Sequence, residues 1–498
     1  MRSTYNTIID DDRCYRAVRG KDRRFDGVFY TAVKTTGIFC RPSCPAVTPR
    51  RANVVFFVTA AAAQGAGFRA CRRCRPELAP GSPNWDVTAD AAGRAMRMIA
   101  DGVVDREGVD GLARRVGYTT RHLNRIATMH LGAGPLALAR AQRAHTARVL
   151  IETTAMSFAE VAFAAGFSSL RQFNATIQDV YAATPSQLRH TRHRPCVDGQ
   201  HVDGQHALGQ GVGVITVSLP VREPFDADGL LDFLTPRAVP GVETVDSGSY
   251  TRSLRLPRGH GCVQLTPASD RVECAMALTD LRDLPSVVER CRRLLDLNAD
   301  PVAIDAQLCE DEALRPWVLK RPGVRVPGHV DGFEVAVRAI IGQQISVPAA
   351  RTIVGRLVAD YGAPIEGTAG VTHVFPSAKA VAAADPESLP MPRSRARCLV
   401  TMAEAVANHD VVLDRSADRD DVRSALLALP GVGPWTADYI ALRALGDPDV
   451  FLSTDLGVRH GLARLGLRDD AAAIDRWRPW RSYALMHVWA ALNRESEM

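Results

Sequence analysis

The sequence contains no long apolar run. Hydrophobic residues make up 46% of the chain, but no stretch reaches the roughly 18 consecutive apolar residues that a membrane-spanning helix requires. The first residues, MRSTYNTIIDDDR, are polar and acidic and do not resemble a secretory signal. We therefore expect no membrane association and a cytoplasmic location. In that reducing compartment, the 11 cysteines indicate metal binding or catalysis rather than disulfide bonds.

Acidic residues are scarce in the N-terminal part of the chain. Residues 1–80 contain 15 Lys and Arg against 6 Asp and Glu, and residues 81–192 contain 13 against 9. The whole chain carries a net charge of only +6, so the remaining residues are acidic on balance. A basic N-terminal segment fits contact with nucleic acid, and a solvated basic surface is the alternative.

Breaks in composition divide the 498 residues, which are too many for one core. Pro76–Pro83 is rich in Pro and Gly, and the stretch at 193–213 is rich in Gly, Gln and His, so both are predicted to be linkers. Helical patterns lie between them, alternating strand patterns follow from Val214, and helical patterns return beyond about Asp283. We predict a multidomain α+β protein with domains at residues 1–80, 85–192, 214–300 and 301–498.

Four cysteines form two close pairs. Three residues separate Cys40 from Cys44, two separate Cys71 from Cys74, and 26 residues lie between the pairs. Two close pairs held apart by a loop supply the four thiolates of a tetrahedral zinc ion. The spacing therefore predicts one Zn²⁺ bound by these four cysteines. At an anonymous four-cysteine site such a zinc is usually structural.

The sequence around these cysteines resembles the Ada family. TTGIFCRPSCPAVTPRRANVVFF and GFRACRRCRP carry the likeness, which covers about residues 5–80. The resemblance implies that Cys40 irreversibly accepts a methyl group from a DNA methylphosphotriester. A zinc-held thiolate is nucleophilic, and its methylation removes one negative charge, so electrostatic binding to DNA would strengthen. Arginines flank the cluster and are candidates to hold phosphates: Arg41, Arg50, Arg51, Arg69, Arg72, Arg73 and Arg75.

Two helix-turn-helix patterns occupy the middle of the chain. In VDGLARRVGYTTRHLNRIATMHL, a helix meets Gly117 and Thr119–Thr120 can cap the next helix; in SFAEVAFAAGFSSLRQFNATIQDVY, Gly166 and Ser168–Ser169 take the same places. With a connecting helix at about 135–152, this plan resembles the AraC-type DNA-binding domain, and a plain helical bundle is the alternative. The resemblance implies that one group of residues faces the major groove: Arg121, His122, Asn124, Arg125, Ser169, Arg171, Gln172 and Asn174.

The C-terminal half carries a helix-hairpin-helix pattern. LPGVGPWTADYIALRALGDPDVFLSTDLGVRH places Gly431 and Gly433 between two helices, where glycine lets backbone N–H groups approach a phosphate. The stretch resembles the helix-hairpin-helix glycosylases. With VRAIIGQQISVPAARTI and WRPWRSYALMHVWAAL, it resembles the AlkA-type 3-methyladenine glycosylases over about residues 214–498. Residues 214–300 would form the β-sheet layer of that family.

The glycosylase resemblance implies roles for individual residues. Asp455 would be the catalytic carboxylate, which stabilises the oxocarbenium character that develops on the sugar. A helix N-cap is the structural alternative for Asp455, and Asp438 is the competing carboxylate. Trp435, Tyr439 and Trp489 would form the aromatic pocket for a flipped, cationic base, although such residues more often belong to a core.

Three motifs of related enzymes are absent. Pro434 and Trp435 stand where strand-nicking helix-hairpin-helix enzymes carry a lysine nucleophile, so we predict a monofunctional enzyme that leaves an abasic site. Gln344 stands where the bacterial glycosylases insert an apolar side chain into the duplex. Cys196 is followed by Val197 rather than by the His-Arg of the alkylguanine methyltransferase motif, so we expect it to be a linker residue.

The combined resemblance predicts an adaptive-response protein for DNA alkylation repair. It would methylate itself at Cys40, use that methylation to activate transcription, and hydrolyse the N-glycosidic bond of alkylated purines. The expected partners are double-stranded DNA, at lesions and at promoter sites, and RNA polymerase, in the nucleoid of a bacterium. The alternative is a transcription regulator with structural zinc and a non-catalytic, DNA-sensing glycosylase-like domain.

Overall fold

A computed structural model describes most of the chain: residues 11–21, 25, 29–42, 44, 46–71, 76, 91–154, 156–190, 214–366, 370–415, 417, 419–467 and 471–492. The chain divides into two compact units, residues 1–203 with 281–286, and residues 204–280 with 287–498. Cys74 and the predicted linker at 193–213, with Cys196, lie outside the described residues. No described helix combines the length and apolar character needed to cross a bilayer.

The first unit begins with a small mixed module. Its elements are α1 (Asp11–Gly20), β1 (Tyr30–Val33), β2 (Ile38–Cys40), β3 (Val54–Phe57), α2 (Ala60–Gly65) and β4 (Arg69–Ala70). The strands form one sheet in the order β3-β1-β2-β4, in which only β2 and β4 run parallel. Cys14 and Val18 of α1 pack against Phe29, which precedes β1, and against Phe56 of β3. These residues form a small hydrophobic core.

Helices dominate residues 91–190 of the first unit, as the sequence predicts. They are α3 (Ala91–Ala100), α4 (Val103–Val116, interrupted at Gly108), α5 (Thr120–Leu131), α6 (Pro135–Thr153), α7 (Phe158–Ala164), α8 (Leu170–Tyr181) and α9 (Pro185–His190). Gly117 and Gly166 make the two turns with φ of +84° and +82°, which glycine adopts without strain. The hydroxyls of Thr119 and Ser169 cap α5 and α8.

The mixed module is packed against the first helix-turn-helix pair. The Thr59 hydroxyl accepts a hydrogen bond from the backbone N–H of Ala62, which caps α2, and donates to the carbonyl of Leu131 at 2.8 Å. Gly132 follows, with φ +74°, and a Cβ there would lie 2.7 Å from that of Ala62. The end of α5 therefore sits tightly against α2.

The second unit contains a five-stranded antiparallel sheet. Its elements are β5 (Ile215–Pro220), α10 (Ala227–Leu234), β6 (Glu243–Asp246), β7 (Ser249–Leu256), β8 (Gly259–Pro267) and β9 (Arg271–Leu278). The strand order is β5-β9-β8-β7-β6. Four of these strands follow the alternation seen in the sequence. The sequence did not predict β6, because ETVD is short and largely polar.

A helical layer completes the second unit. Its helices are α11 (Leu284–Leu294), α12 (Pro301–Leu308), α13 (Arg315–Lys320), α14 (Gly332–Ile341), α15 (Val347–Tyr361), α16 (Ala378–Ala382), α17 (Arg393–Ala407), α18 (Arg419–Leu427), α19 (Pro434–Arg443), α20 (Leu456–Arg464), α21 (Ala471–Asp475) and α22 (Arg481–Ala490), with a short hairpin of β10 (Ala363–Pro364) and β11 (His373–Val374). Ile340, Leu399 and Ile440 are fully buried in the core between α14, α17 and α19. This core fixes α14 and α19, which carry the site described below.

Candidate metal centre and base-binding site

Three of the four predicted zinc ligands meet in the first unit. Phe39 pairs with Ala70 in the parallel strands β2 and β4, so Cys40 and Cys71 emerge side by side at the same ends of those strands. A turn with a hydrogen bond from the Cys44 N–H to the Arg41 carbonyl brings Cys44 back to them. The three Sγ atoms lie within 4.8 Å of one another.

This arrangement fits zinc. With Zn–S bonds of about 2.3 Å, the edge of a tetrahedron of sulfurs is about 3.8 Å, within reach of small side-chain rotations. Cys44 and Cys71 are buried, whereas Cys40 is partly exposed. Cys40 is therefore the most exposed of the three cysteines of the cluster that the structure describes. Arg41, the neighbour of Cys40, is half-buried.

The predicted groove-facing arginines lie on exposed helix surfaces. Arg121 and Arg125 are on α5, and Arg171 is on α8. Leu123 and Phe173, on the same two helices, are fully buried and face the core. Each helix therefore buries one face and presents its arginines to solvent, as groove-reading helices do.

The predicted hairpin joins α18 to α19. Gly431 adopts φ +88°, and a Cβ there would lie 2.9 Å from that of Cys398, so only glycine fits. Gly433 precedes the N-terminus of α19, and a Cβ there would meet no atom within 4 Å. The hairpin therefore offers an open helix N-terminus that a phosphate can approach.

A second loop lies beside the hairpin, between α14 and α15. The Gln343 amide donates to the Gly431 carbonyl at 3.1 Å and to the Thr436 hydroxyl at 3.0 Å. Gln344 is exposed and adopts φ +58°, which costs a non-glycine residue about 1 kcal/mol or more. The loop is thus anchored at Gln343 while Gln344 projects outward.

A cavity of about 1180 Å³ lies between these loops and the sheet layer. Its lining includes all the second-unit residues that the sequence singled out for the glycosylase site: Gln344, Gly431, Gly433, Trp435, Tyr439, Asp455 and Trp489. The volume is somewhat above that of ordinary ligand pockets, about 300–1,000 Å³, and would admit a nucleobase. Residues up to 145 positions apart are thereby brought to one cavity.

Asp455 is held at this cavity by three donors. The indole N–H of Trp435 donates to its Oδ2 at 3.0 Å, and that of Trp489 donates to its Oδ1 at 3.3 Å. The Val458 N–H donates to Oδ1 at 2.9 Å, so Asp455 is also the N-cap of α20. Asp438, the competing carboxylate, instead pairs with Arg423 at 2.7 Å and does not line the cavity.

The aromatic side chains form two stacks. The Trp435 and Tyr439 rings stack at 5.3 Å between centroids, as their spacing of four on one helix predicts. Trp489 stacks on Phe233 of α10 at 6.0 Å. Tyr439 also receives a hydrogen bond from Arg443 at 3.0 Å. Burial alone would raise the pKa of Tyr439, but Arg443, Arg237 and Arg338 together lower it.

A buried ion network adjoins the cavity, which Glu243, His329 and Arg338 help to line. Arg252 bonds Glu243 at 3.0 Å and Glu334 at 2.8 Å, and Arg338 bonds the same carboxylates at 2.7 and 2.5 Å. His329 comes within 3.6 Å of Glu334. Because two guanidinium groups neutralise the carboxylates, we assign the network to structure rather than to a metal. It ties the sheet to α14, which leads into the loop of Gln344.

Substituting Glu334 by Gln should destabilise the second unit by about 3–5 kcal/mol, because Arg252 and Arg338 would be left buried with one carboxylate between them. Urea unfolding followed by tryptophan fluorescence measures this, since five of the six tryptophans lie between 317 and 489. Glu366→Gln, at an exposed position, should change little and serves as the control. Equal stability of the two variants would contradict the structural role.

The chain is similar to known DNA-repair and regulatory proteins along most of its length. Four family models match: "Metal binding domain of Ada" over residues 13–77, "Helix-turn-helix domain" over 112–191, "AlkA N-terminal domain" over 216–331, and "HhH-GPD superfamily base excision DNA repair protein" over 337–478. The "Probable bifunctional transcriptional activator/DNA repair enzyme AlkA" of Mycobacterium tuberculosis is 52% identical over 97% of both chains. The chain belongs to this family of bifunctional AlkA proteins.

Two further similarities concern the second half of this AlkA-family chain. The "DNA-3-methyladenine glycosylase 2" of Escherichia coli is 35% identical over 54% of the chain and 94% of that enzyme. The solved 3-methyladenine DNA-glycosylase from Archaeoglobus fulgidus aligns with a TM-score of 0.50 and 23% identity, covering 56% of this chain and 99% of that one. The predicted fold class is confirmed: zinc-binding module, helix-turn-helix pair and helix-hairpin-helix glycosylase fold.

These matches also show that the metal is zinc and that the main partner is DNA. The cysteine cluster lies within the Ada metal-binding match and is a zinc site built from cysteines. DNA is the partner that the helix-turn-helix and base-excision matches indicate. The chain is a DNA glycosylase at the level of its family.

Sequence reasoning missed several residues at the site. Arg443 lies four residues after Tyr439 on the same helix face, so its spacing was a usable signal. Phe233 comes from α10 and Arg237 from the short turn that follows it, some 200 residues before the hairpin, and nothing local connects them with the hairpin. The members of the ion network are equally dispersed, and only the topology brings them together.

Proposed function

We propose that this chain repairs alkylated DNA at two sites: it hydrolyses the N-glycosidic bond of alkylated purines of the 3-methyladenine type, and it transfers methyl groups from DNA methylphosphotriesters to Cys40. The observation that carries the first activity is Asp455, fixed by two indole N–H groups at a cavity that would admit a nucleobase, beside the hairpin of Gly431 and Gly433.

Asp455 is the proposed catalytic carboxylate. A purine extruded from the duplex enters the cavity and lies against Trp435, Tyr439 and Trp489, whose electron-rich rings favour a cationic methylated base. As the C1′–N bond breaks, its electron pair leaves with the base, and the sugar gains oxocarbenium character. The adjacent carboxylate stabilises that charge while water adds to C1′.

The DNA around the lesion is held by the two loops. Backbone N–H groups at Gly431 and Gly433 would bind a phosphate at the N-terminus of α19. Gln344, projecting from the neighbouring loop, would enter the gap that the extruded base leaves. Pro434 occupies the first position of α19, so no amine stands there to form a Schiff base, and the product is an intact strand with an abasic site.

Cys40 is the proposed methyl acceptor, since this residue is more exposed than Cys44 and Cys71. Bound zinc keeps these thiols deprotonated at neutral pH. The Cys40 thiolate attacks the methyl carbon, an S–C bond forms, and the O–CH3 bond breaks with its electron pair on a phosphate that is now a diester anion. Loss of one negative charge at Cys40 strengthens the hold on DNA. Cys74 is the proposed fourth ligand.

Methylation of Cys40 would then act as a transcriptional signal. Arg41 near the cluster and Arg121, Arg125 and Arg171 on α5 and α8 are the proposed DNA contacts, the last three in the major groove of promoter sites. RNA polymerase is the proposed partner at those promoters.

Both activities can be tested with the full zinc-loaded chain and one substrate, duplex DNA treated with a methylating agent. We expect release of free 3-methyladenine, strands that break only after alkali, and one methyl group per chain, mapped by mass spectrometry to Cys40. Base release without protein methylation would remove the acceptor role alone. DNA binding with neither reaction would instead favour a regulator that only senses DNA.

A further inference from the structure

Arginines lie against the Tyr439 hydroxyl, and none of them can accept its proton. Arg443 Nη1 donates to the Tyr439 Oη at 3.0 Å, while its Nη2 donates to the Gly328 carbonyl at 3.1 Å and its Nε to that of Pro327. Arg443 is 5% exposed and is thus fixed in place. The Arg237 guanidinium lies beside the same hydroxyl and interacts with it electrostatically.

The donor and acceptor roles of Arg443 and Tyr439 decide where the Tyr439 hydroxyl proton points. A guanidinium only donates, so Arg443 occupies a lone pair of the tyrosine oxygen. Among the described residues, no acceptor is within hydrogen-bond geometry of that O–H. Tyr439 lines the cavity, and its ring stacks on Trp435, whose indole holds Asp455. The hydroxyl proton is therefore available to a ligand in the cavity.

The charge around this hydroxyl suits one kind of leaving group. When a cationic methylated purine departs with the electrons of the C1′–N bond, it becomes neutral and needs little help. An uncharged damaged purine departs as an anion, which a hydrogen bond and nearby cations stabilise. Arg443 and Arg237 supply the cations. The same arginines lower the pKa of Tyr439 against the effect of burial, which makes the hydroxyl a stronger donor.

We propose that Tyr439 donates a hydrogen bond to the departing base and that Arg443 is its positioning residue, with the largest effect on the excision of uncharged damaged purines. This inference rests on the proposed glycosylase function. The C1′–N electron pair stays on the base, the tyrosine keeps its proton, and the base anion takes a proton from water after release. Water supplies the new hydroxyl at C1′.

Tyr439→Phe isolates the hydroxyl, because phenylalanine keeps the ring that stacks on Trp435. Single-turnover excision is measured on two duplexes, one with cationic 7-methylguanine and one with uncharged hypoxanthine. We expect a loss of about 30-fold on hypoxanthine, the effect of one hydrogen bond to a charged group. On 7-methylguanine we expect a loss below about 3-fold, since the ring contact is retained.

Arg443 is tested by Arg443→Met, which should show the same selective loss, and by Arg443→Lys, which should restore part of the hypoxanthine activity. Tyr361→Phe is the matched control, since the Tyr361 hydroxyl contacts Ser388 outside the cavity. Equal losses of Tyr439→Phe on both lesions, or no loss on either, would overturn the proposal, as would a wild-type chain active on 7-methylguanine alone. A wild-type chain that releases no base at all would refute the glycosylase function itself.

Discussion

Asp455→Asn should lower the rate of alkylated-base release by about 10²- to 10³-fold, the usual effect of removing one charge-stabilising group from a reacting centre. Asparagine has the shape of aspartate but no charge to set against the developing oxocarbenium ion. DNA binding should change little, because the hairpin and the Gln344 loop are untouched. The measurement is single-turnover release of 3-methyladenine from a methylated duplex, with binding followed separately.

Asp438→Asn provides the matched control. Asp438 lies on α19, pairs with Arg423 on the surface and does not line the cavity, so its substitution should leave base release within about 2-fold, given the small worth of exposed ion pairs. Asparagine at 455 offers one acceptor oxygen to two indole donors, and tryptophan fluorescence should confirm that the fold survives. Loss of activity in Asp438→Asn with retention in Asp455→Asn would reverse the assignment.

Cys71→Ala should abolish zinc binding and methyl uptake together. Cys71 is buried where β2 and β4 end side by side, and a structural zinc site contributes about 10–16 kcal/mol to the folding of a small module. The mixed module has only a small core of its own, so we expect it to unfold without the metal. The readouts are zinc per chain and methyl groups per chain after exposure to methylphosphotriester DNA.

Cys14→Ala is the control in the same module. Cys14 lies on α1 in the hydrophobic core of the module and not in the cysteine cluster, so its substitution should leave zinc bound. Base release should be unchanged in both variants, because the glycosylase cavity is lined entirely by residues of the second unit. Full zinc content in Cys71→Ala would exclude this cysteine as a ligand.

The sequence predicts the local features of both sites well. Cysteine spacing locates Cys40, Cys44 and Cys71 because strand ends and a tight turn keep ligands close along the chain. Gly431 is recognisable because its backbone conformation demands glycine, and Gly433 because a bare backbone at a helix N-terminus is typical of a phosphate-binding hairpin. The caps at Thr119 and Ser169 follow from similarly short-range hydrogen bonds.

What the sequence did not predict depends on distant residues meeting. Arg237 interacts with Tyr439 from the turn that follows α10, and Arg252 reaches Glu334 from β7, across separations of 202 and 82 residues. Charged residues at such positions look like ordinary surface residues until the fold buries them. Strand β6 was missed for the same reason: Glu243 is polar, yet it lies in the buried network and not in solvent.

The hydrogen bond from Thr59 to Leu131 bears on how this chain would contact promoter DNA. It joins the module that carries the cysteine cluster to the end of α5, the helix that bears Arg121 and Arg125, so the proposed DNA contacts of the two would be fixed relative to each other. DNA that touches both must present a backbone position and a major groove in one rotational phase. Inserting about five base pairs, half a turn of B-DNA, would carry the groove to the far side of the duplex. With the proposed DNA contacts, we therefore expect a constraint on operator spacing as well as on base sequence.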